Sequence, residues 1–196
     1  MPRYILAFGA NCNGAFGDPR QSLPAALANL ELQGWSVKAV SRLYSTAPQS
    51  HLRQRKYINC AALVDVALPP SRVLRVLKAL ERSAGRVQVR SHGERPLDID
   101  IIDAGGRSIG WPDRQAAAVP RRRGLSAEKP GNMPRRSARP GVVVPHPLAH
   151  VRAFVLDPVA DIAPHWWHRG LRQPMQRLRY RLVRPPGSIK ILENGP

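Results

Sequence analysis

An α+β fold is predicted for this chain: a ferredoxin-like βαββαβ sheet with helices on one face, carrying a basic insertion and a C-terminal extension. Three observations predict it. Apolar alternations of strand length recur at Arg3 to Gly9, Trp35 to Tyr44, Tyr57 to Val66 and Leu97 to Ile102. Two stretches with helical spacing follow the first and the third of them. The resulting order is the split βαβ pattern, in which helices cover one face of an antiparallel sheet and leave the other open.

Taken in order, Arg3 to Gly9 is a first strand, and residues 10–19, with Asn11, Asn13, Gly14 and Gly17, form a loop. Ser22 is the expected N-cap of the first helix, with Pro24 in its first turn, and Leu23, Ala26, Leu27 and Leu30 recur at helical spacing up to Gly34. Trp35 to Tyr44 is a second strand, residues 45–56 a polar loop with Pro48, and Tyr57 to Val66 a third strand. In the third strand Tyr57 and Asn59 share one face, while Ile58, Cys60, Ala62 and Val64 share the other. Ser71 is the expected cap of a second helix striped by Val73, Leu74, Leu77, Leu80 and Ala84 and ended by Gly85. The segment from Val142 to Pro164 is expected to return and complete the domain, ending in a helix over Asp157 to Ile162 and a packed Trp166-Trp167 pair.

The 196 residues allow one domain with appendages, drawn here as a body over residues 1–168, a flexible insertion at 114–141 and a basic tail at 169–196. The formal charge is +18, but residues 114–141 carry +7 and residues 169–196 carry +6, so the body keeps only +5. Both segments are rich in Pro and Gly without apolar periodicity, which reads as loop or tail rather than a folded binding surface, so no specific nucleic-acid partner is expected. Two cysteines, Cys12 and Cys60, make no disulfide framework. With no signal segment and no apolar run of membrane-spanning length, a cytoplasmic monomer is expected.

The chemistry concentrates between Arg86 and Ile102. Leu97, Ile99 and Ile101 face the core, which puts Asp98 and Asp100 side by side on the opposite face, their Cα atoms roughly 6.6 Å apart at the rise of a strand. Two carboxylates so placed suit a hard cation, and Arg86, Arg90 and Arg95 just before them suit phosphate oxygens. The spacing alone fits an exposed edge-strand face equally well.

The run Arg90-Ser91-His92-Gly93-Glu94-Arg95-Pro96-Leu97-Asp98-Ile99-Asp100-Ile101 resembles the R-x-x-G-x-R-P-L-D-I-D-I signature of the 6-hydroxymethyl-7,8-dihydropterin pyrophosphokinases of the folate pathway. Tyr57 to Ala61 resembles that family's Y-x-N-x-A strand. Val144 to Pro147 with Arg152 to Pro158 resembles its P-H-P and R-x-F-V-L-x-P pair. The likeness covers residues 3–113 and 142–168. It implies pyrophosphate transfer from ATP to the pterin hydroxymethyl group, with AMP leaving. It also implies that Asp98 and Asp100 hold two Mg²⁺ ions bridging the ATP phosphates, and that Arg86 and Arg95 engage those phosphates. Ile101, His146 and Arg152 would meet the nucleotide, and Thr46, Tyr57, Asn59, His92 and Phe154 would line the pterin site. Glu81 matches a family glutamate, although a solvated helix face explains it nearly as well, and Tyr44 reads as core.

His92 stands where the family has an aromatic residue and Glu94 where it has proline, in a loop about one residue shorter than usual in the family. A member with lost activity is therefore one alternative. A basic nucleic-acid-binding protein on the same sheet is another, but no strand carries the stacked-aromatic pattern of an RNA-reading sheet.

Overall fold

Alternate residues of the first strand point into two separate cores, and this division organises the molecule. The computed structural model describes residues 1–48, 54–86, 93–111 and 142–192. Within them run β1 (Arg3–Ala10), α1 (Pro19–Leu32), β2 (Ser36–Val40), β3 (Leu43–Thr46), β4 (Tyr57–Asp65), α2 (Pro70–Ser83) and β5 (Asp98–Ala104). A 3₁₀ turn (Ala149–Val151) then leads into α3 (Ala153–Ile162), β6 (Trp167–His168), β7 (Gln173–Pro174), α4 (Met175–Arg181) and β8 (Ile189–Leu192). The main sheet is ordered β5-β1-β4-β3-β8, with β2 also pairing with β4, and all of its pairings are antiparallel.

Tyr4, Leu6 and Phe8 of β1, Cys60, Ala62 and Val64 of β4, and Ile99 and Ile101 of β5 pack against α1 and α2. On the other face Ile5, Ala7, Ala61 and Ile102 pack against α3, Trp166 and α4. Ile102 reaches that second core by the ordinary alternation after Ile101, and the β1–β5 register shift between Ile5 and Leu6 leaves it without a partner on β1. The expectation of helices on one face is thus corrected: α3 and α4 cover part of the second face, and what they leave uncovered becomes the cavity.

Local chemistry explains where the boundaries moved. Helix α1 begins at Asp18 and not Ser22, because the Asp18 carboxylate accepts from the Arg20 and Gln21 amides at 2.7 and 3.0 Å while Gln21 Oε1 accepts from the Asp18 amide. Helix α2 begins at Pro70 with no side-chain cap, so Ser71 lies inside its first turn. The expected second strand is broken at Ser41, whose Oγ accepts from the Ala61 amide at 2.9 Å and so takes a ladder position.

The reading of residues 169 onward as loop or tail is corrected as well. Trp167–His168 pairs with Gln173–Pro174, α4 buries Met175 and Leu178 in the second core, and β8 extends the main sheet. Trp166 is buried as expected, whereas Trp167 is exposed. The insertion at 114–141 lies outside the described residues. Among the described residues no helix is long and apolar enough to cross a membrane.

Candidate active site

The pleat of three neighbouring strands builds the floor of a cavity of about 320 Å³. Asp98 of β5 lies opposite Gly9 of β1, Asp100 opposite Ala7, and Gly9 in turn opposite Asn59 of β4. Their side chains therefore share a face. The first turn of α3, with Phe154 and Val155, and the preceding Arg152 close it from above, and Thr46, Ala47 and Pro48 close one side.

One end of the cavity is an amide framed by rings. Asn59 is buried, and its Nδ2 donates to Thr46 Oγ1 at 2.9 Å. Gly9 leaves little room for a side chain here, since a Cβ at that position would stand 3.0 Å from Asn59 Oδ1 and the amide would have to give by a few tenths of an ångström. Tyr57 and Phe154 line the same end, and the Arg152 guanidinium carbon lies 5.6 Å from the centre of the Phe154 ring.

The other end is a charge network. Arg86 binds Asp98 and, at 2.5 Å, Glu81, while Arg95 binds Asp98 at 2.6 Å. Lys78 joins from α2, 2.5 Å from Glu81 and 4.0 Å from Asp98. Burial works to raise the Asp98 carboxyl, but Arg95 and Arg86 outweigh it and hold it below the usual carboxylate range. Asp100 sits 3.8 Å from both His146 Nε2 and Arg152 Nη1. Burial pushes the His146 imidazole down against the pull of Asp100, and its Nδ1 accepts from the Leu148 amide, so the neutral form carries its proton on the nitrogen nearer Asp100.

Both carboxylates are hard oxygen donors, Asp98 with an arginine on each oxygen and Asp100 with neighbours no nearer than 3.8 Å. They fit a Mg²⁺ ion that takes its remaining ligands from water and phosphate. No cluster of three or more His, Cys, Asp or Glu able to hold a metal occurs among the described residues, so no protein-only cage competes.

Most of the expected site residues converge: Thr46, Tyr57, Asn59, Arg95, Asp98, Asp100, Arg152 and Phe154 line the cavity, and Arg86 and His146 contact its carboxylates. The Ile101 side chain does not join them, since it packs in the core under α1 and α2. His92 lies outside the described residues. Glu81 is 1% exposed and accepts from the Ile99 amide at 2.8 Å, so the solvated-face reading is wrong and the site reading stands closer. Tyr44 is core, as expected, with its hydroxyl donating to Asp161 at 2.9 Å.

Two participants went unrecognised. Lys78 lies one turn before Glu81, a pairing that the i,i+3 spacing would have exposed. Asn11 pins the loop carrying Arg95: its Oδ1 accepts from the Arg95 amide at 2.7 Å and its amide donates to the Arg95 carbonyl at 2.9 Å. No local pattern marks that contact.

A model of the 7,8-dihydro-6-hydroxymethylpterin-pyrophosphokinase (HPPK) family matches residues 5–164. The chain belongs to this family. The 2-amino-4-hydroxy-6-hydroxymethyldihydropteridine pyrophosphokinase of Pseudomonas aeruginosa is 32% identical over 165 residues, covering 84% of this chain and 82% of that protein. Folic acid synthesis protein FOL1 of Dictyostelium discoideum is 31% identical over 90% of this chain, which spans only 22% of that longer protein. The crystal structure of Plasmodium falciparum HPPK-DHPS superposes with a TM-score of 0.61 at 13% identity, over 92% of this chain and 41% of that one, a likeness of fold. As an HPPK-family chain, this protein has its family motifs in one cavity: the Tyr57–Asn59 strand, the Asp98–Asp100 strand and the Arg152–Phe154 turn.

Proposed function

We propose that this chain transfers pyrophosphate from ATP to 6-hydroxymethyl-7,8-dihydropterin in the cavity between β1, β4, β5 and α3, giving the pterin diphosphate and AMP for folate synthesis. The observation that carries the reading is that one cavity holds both a buried, oriented amide and a paired carboxylate with its cations. Family membership supports the reaction. The sheet order, with the broken β2–β3 counted as one strand, supports the ferredoxin-like assignment.

In this reading the pterin edge pairs with Asn59, and the ring lies among Tyr57, Phe154 and, from the loop beyond the described residues, His92. Asn59 and the backbone near Thr46 supply complementary donors and acceptors, and a buried amide left unpaired would cost about 1 to 3 kcal/mol, which favours the pterin over a ring lacking that edge. Arg86 and Arg95 hold the ATP phosphates, with Arg152 and His146 beside the nucleotide, and Asp98 and Asp100 hold two Mg²⁺ ions. Magnesium held there would supply neutralisation of the phosphate charge, while Arg86 and Arg95 steady the phosphates for the hydroxymethyl oxygen to reach the β-phosphorus. The protein forms no covalent intermediate: its residues align the oxygen with the phosphorus and stabilise the charge left on AMP. Asp98 holds the Arg86 and Arg95 guanidinium groups in place before ATP arrives, which lowers the cost of ordering them on binding.

Because one chain supplies residues for both substrates, a monomer suffices, and two free thiols suit a reducing cytoplasm. The test is to incubate the protein with ATP, Mg²⁺ and the pterin and to identify the nucleotide product. AMP in a one-to-one ratio with pterin diphosphate is expected, and ADP would exclude pyrophosphate transfer.

A further inference from the structure

The last strand of the chain lies at the opposite edge of the sheet from the carboxylates. The order β5-β1-β4-β3-β8 places Asp98 and Asp100 at one edge and β8 at the other. Between β4 and β8 runs β3, only four residues long, whose last residue is Thr46. Without β8, β3 would be an edge strand with half of its backbone groups turned to water, and such edges open readily.

β8 pairs along the whole of β3, from Leu43 opposite Leu192 to Thr46 opposite Ile189. The ladder runs one residue further, because the Ala47 amide donates to the Ser188 carbonyl at 3.1 Å. Ala47 and Thr46 both line the cavity, and Thr46 Oγ1 is the acceptor that orients the Asn59 amide. The same C-terminal segment is tied to the other wall. Arg184, just before β8, binds the buried Asp157 of α3 through Nη2 at 2.7 Å and Nε at 3.0 Å, and α3 carries Phe154. The C-terminal segment thus braces the Thr46–Ala47 side of the ring-binding end through the ladder and the α3 side through Asp157, and among the described residues none of these contacts is to Lys78, Arg86 or Arg95.

We propose that β8 is a positioning element for the pterin: by completing the ladder of β3 it holds Thr46 and Ala47, and through them Asn59, in the geometry that receives the ring edge. The inference rests on the reading that the pterin occupies the Asn59 end of the cavity. It gives the final segment a role in affinity for one substrate only, which its basic composition does not suggest.

Lys190 allows the test, because its side chain is exposed and its backbone stands opposite Ser45 in the ladder. Lys190→Pro removes a ladder N–H and cannot be accommodated between paired strands, while Lys190→Ala keeps the backbone. Calorimetric titration of each with the pterin, and separately with Mg²⁺ and a non-hydrolysable ATP analogue, is expected to show Lys190→Pro binding pterin at least about tenfold more weakly with the ATP analogue within about twofold, and Lys190→Ala unchanged for both. Unchanged pterin affinity in Lys190→Pro, or equal losses for the two ligands, overturns the proposal. Asn59→Ala in the same series separates the two readings. If it binds pterin normally, the assignment of the pocket fails, and if it alone is weakened, the role of β8 fails. Amide exchange on the unaltered chain needs no variant: saturating pterin should slow exchange across Ile189–Leu192, and indifference there also overturns the proposal.

Discussion

Asn59 on β4 donates its side-chain N–H to the hydroxyl of Thr46 on β3 at 2.9 Å, so the amide at the floor of the cavity has one orientation. The two residues are diagonal neighbours in the ladder, where Asn59 stands opposite Tyr44 and Thr46 opposite Tyr57. With Nδ2 committed, Oδ1 points across Gly9. A ligand therefore meets an amide already set, with little side-chain entropy left to lose.

Removing that amide should weaken the pterin alone. Asn59→Ala is expected to cost about 1 to 3 kcal/mol of pterin affinity, roughly 5- to 150-fold, with the ATP analogue unaffected. Gly9→Ala should act in the same direction by crowding Asn59 Oδ1. Separate titrations decide, and equal losses for both ligands would mean that Asn59 serves the fold.

Asp98→Ala and Asp100→Ala are expected to reduce kcat by about a thousandfold or more, some 4 kcal/mol of transition-state stabilisation. The variants should differ in stability, since Asp98 bridges Arg86 and Arg95 whereas Asp100 stands 3.8 Å from its neighbours. Asp98→Ala leaves two cations facing each other and should unfold at lower urea than Asp100→Ala. A variant with most of its turnover at saturating Mg²⁺ would contradict the metal assignment.

Glu81 is a positioning residue whose removal should register in both stability and rate. Burial pushes its carboxyl up, Lys78 pulls it back, and it accepts from Lys78, Arg86 and the Ile99 amide. Glu81→Ala would leave a guanidinium and a buried amide without that partner, at a cost of about 3 kcal/mol or more. Urea unfolding measures the first effect. A fall in kcat for the folded fraction, with pterin affinity unchanged, measures the second.

Acid should destabilise the protein through His168. The residue is fully buried between Trp111 and Trp166, its Nδ1 accepts from the Leu171 amide at 3.1 Å, and burial first, then neighbouring His150, push its pKa down to about 3. Below its ordinary value of 6.5 the unfolded chain takes up a proton that the folded chain refuses, so stability falls as pH drops from 6.5 toward 3 and is unaffected above that window. Between pH 6.5 and 5 the loss from this residue is about 2 kcal/mol. Urea midpoints of the unaltered protein and His168→Asn, compared at pH 7.5 and 5, should converge on acidification. Parallel curves would count against it.

By itself the sequence determined what depends on near neighbours. Alternation along a strand put Asp98 with Asp100 and Tyr57 with Asn59 on common faces, because the pleat turns successive side chains to opposite sides whatever lies beyond. The apolar stripe of α2 was legible for the same reason. Tertiary structure decided what depends on residues far apart in the chain. Glu81 became buried because Arg86, Lys78 and the Ile99 amide together compensate its charge, and only the packing of α2 against β5 brings them to it. The C-terminal segment, polar and arginine-rich, was ordered by partners more than a hundred residues away on β3 and by Asp157 on α3. Composition measures what a segment can bury alone, and it is blind to a ladder and a carboxylate that another part of the fold has left waiting.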